Sequence, residues 1–286
     1  MTAVESLEGG GFQIHRPFPT RALPMVDPFL LLDRMGPMDV GPGEAKGAPD
    51  HPHRGFETVT YLLDGGMEHA DSAGNRGSLR PGDVQWMTAG RGVVHAELPA
   101  ADILAKGGRM HGFQLWVNLP RAEKMRPPRY QDVPSARIPV VTTDDGRVKV
   151  KVIAGSALGA EAIIETRIPI TYLHVTLAPG AVFTQPVSED ANAVAYVFGG
   201  RGSFGAGADK SREAVENQLV IFGRDGHHVR MEAAADAEAP LEALFLAAVP
   251  LGEPVARYGP FVMNTAAEIQ QAVADYQSGR LGRIEG

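Results

Sequence analysis

Glycine and proline recur along the whole chain and divide it into short runs of β-branched and aromatic residues. The 286 residues include 34 glycines and 22 prolines, which favours many strands and turns over a helical bundle. Strand-like segments occur in both halves of the chain, at residues 57–63 (ETVTYLL), 84–87, 93–98, 113–118 (FQLWVN), 148–153, 171–177, 194–198, 218–222 and 244–249. The pattern predicts an all-β protein with few helices.

A proline-rich segment separates the two halves. Residues 126–139 contain four prolines and are typical of a linker. We therefore predict two β-barrels in tandem, an N-terminal domain at residues 1–130 and a C-terminal domain at residues 131–286. Near the end of the chain, Thr265 and Glu268 form a capping-box pattern that predicts a helix through about Gln277. We assign this helix to the second domain.

Composition excludes several classes of protein. The net charge of −7 argues against a nucleic-acid or membrane-surface binder, because binding phosphates requires a clustered basic face. There are no cysteines, so disulfides and thiolate metal sites are excluded. The N-terminus lacks a basic segment followed by an apolar run, and the longest apolar stretches are too short to cross a bilayer. We expect a cytoplasmic protein.

Two short motifs indicate a metal site. In a strand, residues i and i+2 point to the same face, so His51 and His53 present two imidazoles together. His95 and Glu97 present an imidazole and a carboxylate by the same rule. If both segments border one barrel interior, these four side chains can bind one ion. The ligand set suits a divalent transition metal such as Fe, Zn, Cu, Ni or Mn better than Mg or Ca.

The choice of carboxylate stays open at this point. Glu57 lies four residues after His53 and shares its strand parity, so it is an alternative to Glu97 as a ligand, or a partner for a ligand histidine. His69 lies in a polar segment and is expected to be solvated.

An internal repeat suggests a duplicated barrel. The triplet that begins at His51 and the triplet that begins at Gln185 both lie 14 residues before a Gly-Gly pair. The second copy has Gln185, Val187 and Arg230 near the places of the histidines. Only the first barrel is therefore expected to bind metal.

Long motifs resemble the pirin family of the cupin superfamily. They are the core at residues 49–99 and the segments DPFLLLDRM (27–35), HGFQLWVNLP (111–120) and GPFVMNT (259–265). The resemblance implies two jelly-roll-like cupin barrels, the first of which holds one metal ion, commonly iron. It assigns His51, His53, His95 and Glu97 as the ligands, and so favours Glu97 over Glu57. It also implies that the second barrel lacks metal.

The same resemblance implies a function. The resemblance implies a dioxygenase that cleaves flavonols such as quercetin with O₂. Glu97 is then the general base, or Glu57 if it is not a ligand. Apolar walls would select the planar substrate, and candidates for these walls are Phe56, Met67, Trp86 and Met87. The alternative is a regulator without catalysis that binds a protein partner and uses its metal as a redox switch. Neither function involves direct contact with nucleic acid or a membrane.

Overall fold

The structure is a computed structural model and describes residues 1–205 and 211–284. It divides into two compact units. The first barrel comprises Glu5–Ser135 and Leu251–Gly286, and the second barrel comprises Met1–Val4 and Ala136–Pro250. Each unit contains a larger and a smaller antiparallel sheet, so the prediction of an all-β protein with two barrels is confirmed.

The first barrel contains a sheet of seven strands and a sheet of four. The strands are β1 (Val4–Glu8), β2 (Phe12–Phe18), β3 (Phe29–Val40), β4 (Ala48–His53), β5 (Phe56–Asp64), β6 (Met67–Asp71), β7 (Arg76–Leu79), β8 (Val84–Thr88), β9 (Val93–Pro99), β10 (Gly108–Asn118) and β11 (Arg129–Val133). The larger sheet has the order β1-β2-β3-β10-β5-β8-β11, and the smaller sheet has the order β4-β9-β6-β7. A short helix, α1 (Ala101–Lys106), joins β9 to β10.

Strand β5 lies inside the larger sheet, between β10 and β8, and all but its last two residues are buried. Its β-branched and aromatic residues explain both the strand and its central position. Alternation along β5 points Thr58 and Thr60 to one face and Glu57 to the other. The Thr60 hydroxyl donates to Oε1 of Glu97 at 2.8 Å, so the Thr60 face is the one that meets the smaller sheet.

The second barrel has the same two-sheet arrangement. Its strands are β12 (Val140–Thr142), β13 (Val148–Ala154), β14 (Ser156–Ala157), β15 (Ala160–Glu161), β16 (Ile170–Leu177), β17 (Val182–Pro186), β18 (Asn192–Gly199), β19 (Arg201–Phe204), β20 (Arg212–Val215), β21 (Gln218–Ile221), β22 (His228–Ala233) and β23 (Leu241–Ala248). The sheets have the orders β12-β13-β16-β23-β18-β21 and β17-β22-β19-β20, and β14 pairs with β15. A 3-10 helix at Ser135–Arg137 precedes β12.

The C-terminal segment belongs to the first barrel, which differs from the sequence-based assignment of residues 131–286 to one domain. It contains the hairpin of β24 (Ala256–Tyr258) and β25 (Phe261–Met263) and the helix α2 (Ala266–Gln277). Arg54, next to His53, donates through Nη1 to Asp275 of α2 at 2.8 Å. The boundary also shifts, because β11 pairs with β8 and keeps the chain in the first barrel to Ser135.

Helix α2 begins where the capping box predicted. The Thr265 hydroxyl accepts from the backbone of Glu268, and the Glu268 carboxylate accepts from the backbone of Thr265. Ala272 is fully buried on its inner face, in a cluster with Val94 and Phe261. In the part of the chain that the structure describes, no helix has the length and apolar character needed to cross a membrane.

Candidate metal centre

Pairing between β4 and β9 brings three histidines together. His51 lies directly opposite His95 in the antiparallel register, and His53 follows on the same face as His51. The ring centroids are 4.4 Å apart for His51 and His95, 4.7 Å for His51 and His53, and 4.8 Å for His53 and His95. One ligand nitrogen from each ring lies within 4.8 Å of the other two. The two motifs of the sequence thus converge on one point.

The hydrogen bonding of these rings fits a metal ion. Nδ1 of His53 and both ring nitrogens of His95 are buried and have no hydrogen-bond partner among residues 1–205 and 211–284. Nδ1 of His51 lies 2.8 Å from the carbonyl oxygen of Pro49. Because a carbonyl only accepts, Nδ1 of His51 carries the proton and Nε2 keeps a free lone pair. Buried nitrogens without partners are costly, and a shared cation would satisfy Nδ1 of His53 and one of the two nitrogens of His95.

Burial keeps two of the imidazoles neutral. Desolvation lowers the pKa of His53 well below its usual value, and the neighbouring His95 and His51 lower it further. Desolvation likewise lowers the pKa of His95, with further lowering by His51 and His69 and an opposing effect of Asp71. Neutral imidazole is the form that binds a metal ion. Both rings are therefore ready to bind a metal near neutral pH.

Glu97 follows His95 by two residues on β9 and is buried. Its Oε1 is held by the hydroxyl of Thr60, and its side chain lines the same cavity as His51 and His53. Its carboxylate oxygens are not part of the cluster in which all ligand atoms lie within 4.8 Å, which holds only the histidines in the described part of the chain. The structure thus brings three of the four predicted ligands together and places the fourth, Glu97, in the wall of the cavity that His51 and His53 also line.

Glu57 lies elsewhere in the first barrel. It is completely buried on β5, where its cross-strand neighbours are Val117 and Thr88, and the Thr88 hydroxyl donates to its Oε1 at 2.6 Å. Alternation along β5 places it on the opposite face from Thr60, which contacts Glu97. The structure therefore does not bring Glu57 to the cavity beside the histidines.

His51 and His53 line a cavity of about 490 Å³, which we call the metal-side cavity. Trp116 forms one wall, and its ring meets that of His53 at 5.3 Å between centroids. Polar side chains complete the lining, namely Glu8, Arg16, Asp33, Asp50, Glu97, Gln114 and Arg257. The site therefore combines aromatic and charged groups beside the proposed metal position.

A second cavity of about 420 Å³ lies against the first, and we call it the methionine cavity. Four methionines line it, at positions 35, 38, 67 and 110. The two cavities share Phe12, Met35, Glu97 and Gln114 among their lining residues. Flexible, polarizable methionine side chains adapt to flat apolar ligands. Of the four wall residues proposed from sequence, Met67 lines this cavity, whereas Phe56, Trp86 and Met87 are fully buried.

Sequence reasoning missed an ion pair in the metal-side cavity. Arg16 holds Asp33 with two hydrogen bonds of 2.7 and 2.6 Å, and it also contacts Glu8 at 2.8 Å. Burial raises the pKa of Asp33 to about 6, an effect that outweighs the lowering by Arg16. Only the fold brings β2 and β3 to the cavity, so no local motif marks these residues.

The expectation for His69 was wrong. It is buried on β6, hydrogen-bonded to Asp132 at 3.1 Å and stacked on Tyr130 at 5.2 Å. It lies directly opposite Glu97 in the pairing of β6 with β9. The side chains of β6 alternate in burial, but the residue types in MEHAD do not alternate between apolar and polar, so no local pattern marked His69 as buried.

The second barrel has different side chains at the corresponding place. Gln185 on β17 lies opposite Val229, so the register places Val229, and not Arg230, at the position that corresponds to His95. The amide of Gln185 donates to the carbonyl oxygens of Ser156 and Pro186. Within the described ranges, a cluster of three potential metal ligands occurs only at His51, His53 and His95.

Comparison with known proteins gives a consistent result across the chain. The family model for pirin matches residues 11–117, and the model for the pirin C-terminal cupin domain matches residues 172–282. A pirin-like protein of Solanum lycopersicum is 42% identical over 275 residues, which cover 96% of this chain and 89% of the relative. A pirin-like protein of Caulobacter vibrioides is 43% identical over 275 residues, covering 96% of this chain and 94% of the relative.

A solved structure shares the whole architecture. The crystal structure of a quercetin 2,3-dioxygenase from Acinetobacter baumannii superposes with a TM-score of 0.90 at 35% sequence identity. The match covers 99% of this chain and 96% of the other. The likeness therefore includes both barrels and the C-terminal segment.

Proposed function

Because the chain belongs to the pirin family, we propose that it is a metal-dependent dioxygenase that cleaves flavonols such as quercetin with O₂. The observation that carries the proposal is the cluster of three histidines, two of them buried with unpartnered ring nitrogens in the described part of the chain, beside a cavity large enough for a small molecule. The likeness to a quercetin 2,3-dioxygenase at 35% identity supports the choice of reaction.

We propose that His51, His53, His95 and Glu97 hold the ion. Three neutral imidazoles and a carboxylate suit iron, and also Zn, Cu, Ni or Mn. Iron is the first choice because the family commonly uses it. Thr60 fixes one oxygen of Glu97 by a hydrogen bond, which orients the carboxylate before a metal or a substrate arrives.

A bound transition metal would lower the pKa of a coordinated flavonol hydroxyl and hold the substrate beside O₂. Glu97 is the general base in this proposal, and its carboxylate accepts the proton of the 3-hydroxyl group. Glu57 is the less suitable base, because it lies on the other face of β5 and is bound to Thr88. The chain's role is thus to orient the hydroxyl and to remove its proton.

The cavity walls fit a flat molecule with two ring systems. Trp116 and Phe12 offer aromatic surface in the metal-side cavity, and the methionine cavity continues from it past Met35. Both volumes lie in the range of small-molecule sites. We propose that one ring system binds beside the metal and the other enters the methionine cavity.

Quercetin binding and turnover test the proposal. Anaerobic addition of quercetin to the iron-loaded protein should shift its absorption spectrum, and admission of O₂ should then consume it with release of carbon monoxide. His53→Ala should abolish both effects. His227→Ala is the matched control, because it removes an exposed imidazole of the second barrel whose ion-pair partner is Glu189. No spectral change with the iron, copper, nickel and manganese forms would contradict catalysis and favour the regulator that binds a protein partner.

A further inference from the structure

Arg257 lies at the rim of the metal-side cavity, one aromatic ring away from the histidines. Its guanidinium carbon is 4.9 Å from the ring centroid of Trp116, a cation–π distance. Trp116 in turn meets His53 at 5.3 Å between ring centroids. Arg257 thus stacks on the ring that contacts one of the proposed metal ligands.

The charge of Arg257 is not committed to a carboxylate. Its Nε donates to the carbonyl oxygen of Gly259 at 3.4 Å, and within residues 1–205 and 211–284 it forms no ion pair. The nearby acids Asp33 and Glu8 are both bound to Arg16. Burial lowers the pKa of Arg257 from its usual value, but a guanidinium keeps its proton near neutral pH.

Other charged groups face the same cavity. Arg16 forms ion pairs with Asp33 and Glu8, whose combined charge exceeds its own, and both acids also attract Arg257 without forming an ion pair with it. Asp50 is exposed, and Glu97 is assigned to the metal. Arg257 therefore remains as the cation that a ligand can reach. A guanidinium binds a carboxylate through two parallel hydrogen bonds, which fixes both position and orientation.

We propose that Arg257 recognises an anionic group of the substrate. The site would then prefer aromatic metal chelators that carry a carboxylate on the side of the ring away from the chelating oxygens. This inference rests on the proposed metal site. Because quercetin carries no carboxylate, it extends the ligands of that site beyond the flavonols to a second class of aromatic chelator. Arg257 is a specificity-determining residue here, since it contacts the substrate away from the reacting atoms.

Two catechols of similar shape, one with a carboxylate and one with a neutral amide, test the inference. Both 3,4-dihydroxybenzoate and 3,4-dihydroxybenzamide chelate iron(III) through their hydroxyl groups and give a visible charge-transfer band. Titration of the iron(III)-loaded protein should show about fivefold tighter binding of the benzoate, a value expected for a solvent-accessible ion pair. The advantage should disappear in Arg257→Gln and shrink in Arg257→Lys, which keeps the charge but loses the planar fork.

Arg80→Gln is the matched control. It removes the same charge from the first barrel, but Arg80 pairs with Asp102 outside both cavities, so the preference for benzoate should persist. Equal affinity for the two compounds in the unmodified protein, or a preference that survives in Arg257→Gln, would overturn the inference and leave the metal site intact. Absence of a charge-transfer band with both compounds would instead defeat the metal site, and the inference with it.

Discussion

The two barrels share one strand plan but differ in what fills the same place inside. Where β4 pairs with β9, His51 faces His95, and where β17 pairs with β22, Gln185 faces Val229. Around the second position the interior is an apolar cluster that includes Phe183, Val229, Met231 and Phe245. The scaffold therefore does not decide between a metal site and a packed core. The residue types at a few positions on two strands determine which of the two a barrel contains.

The difference is also energetic. In the described part of the chain, three buried nitrogens of His53 and His95 lack hydrogen-bond partners. The amide nitrogen of Gln185 donates to two carbonyl oxygens, and only its amide oxygen is buried without a partner. An unsatisfied buried polar group costs about 1–3 kcal/mol. The first barrel carries more of this cost at the corresponding place, as expected if its histidines bind the proposed metal ion.

The largest expected effect is on metal content. The metal content of His95→Ala should fall from about one ion per chain to near zero, because the variant lacks one of the proposed ligands. Val229→Ala changes the corresponding residue of the second barrel and should leave metal content unchanged while it weakens the core. Elemental analysis of both purified variants measures the difference. An unchanged metal content in His95→Ala would contradict the claim that the histidines of the first barrel bind the ion.

The next effect concerns stability in the second barrel. Phe245 is fully buried in its apolar cluster, so Phe245→Ala should lower the free energy of unfolding by about 3–5 kcal/mol. Denaturant unfolding measures this change. Because the proposed metal site lies in the other barrel, the folded variant should still bind one ion. Loss of metal from the folded variant would contradict the separation of roles.

A pH effect is expected from Asp33 in the first barrel. Burial raises its pKa from 3.8 to about 6, so between these values the folded carboxyl keeps a proton that the unfolded one has lost. Stability therefore falls as pH rises through this window, by at most about 1.4 kcal/mol per pH unit. In Asp33→Asn this contribution should vanish. Unfolding curves measured from about pH 4 to pH 7 test it, and identical slopes would disprove the shift.

The smallest expected effect is on metal affinity, and it distinguishes two threonine–glutamate pairs. Thr60 holds Glu97 in the first barrel, and Thr176 holds Glu242 at 3.0 Å in the second. Thr60→Val should weaken metal affinity by about tenfold, because Glu97 loses its orienting hydrogen bond. Thr176→Val should leave that affinity unchanged. Competition with a chelator measures both, and equal affinities would exclude a role for Thr60.

Local patterns in the sequence predicted much of the first barrel's site. The spacing within His51-x-His53 and His95-x-Glu97 is a two-residue repeat, which a strand converts directly into a shared face. The capping box at Thr265 is equally local, and helix α2 begins there. Such features depend on neighbours along the chain, so the sequence alone carries them.

Features that depend on distant contacts could not be predicted in this way. Glu57 has the right strand parity but lies on β5, in the other sheet from β4, so counting from His53 was misleading. The C-terminal segment joins the first barrel through contacts such as Arg54 with Asp275, which are 221 residues apart. Arg257 reaches the cavity only because this segment folds back.

Anomalous diffraction at the metal edge, from crystals of the iron-loaded protein, tests the central claim most directly. We predict one peak per chain, within about 2.3 Å of a nitrogen of His51, His53 and His95 and of an oxygen of Glu97. The second barrel should show none. A peak bound by Glu57, a peak beside Gln185, or no peak among the three histidines would contradict the account.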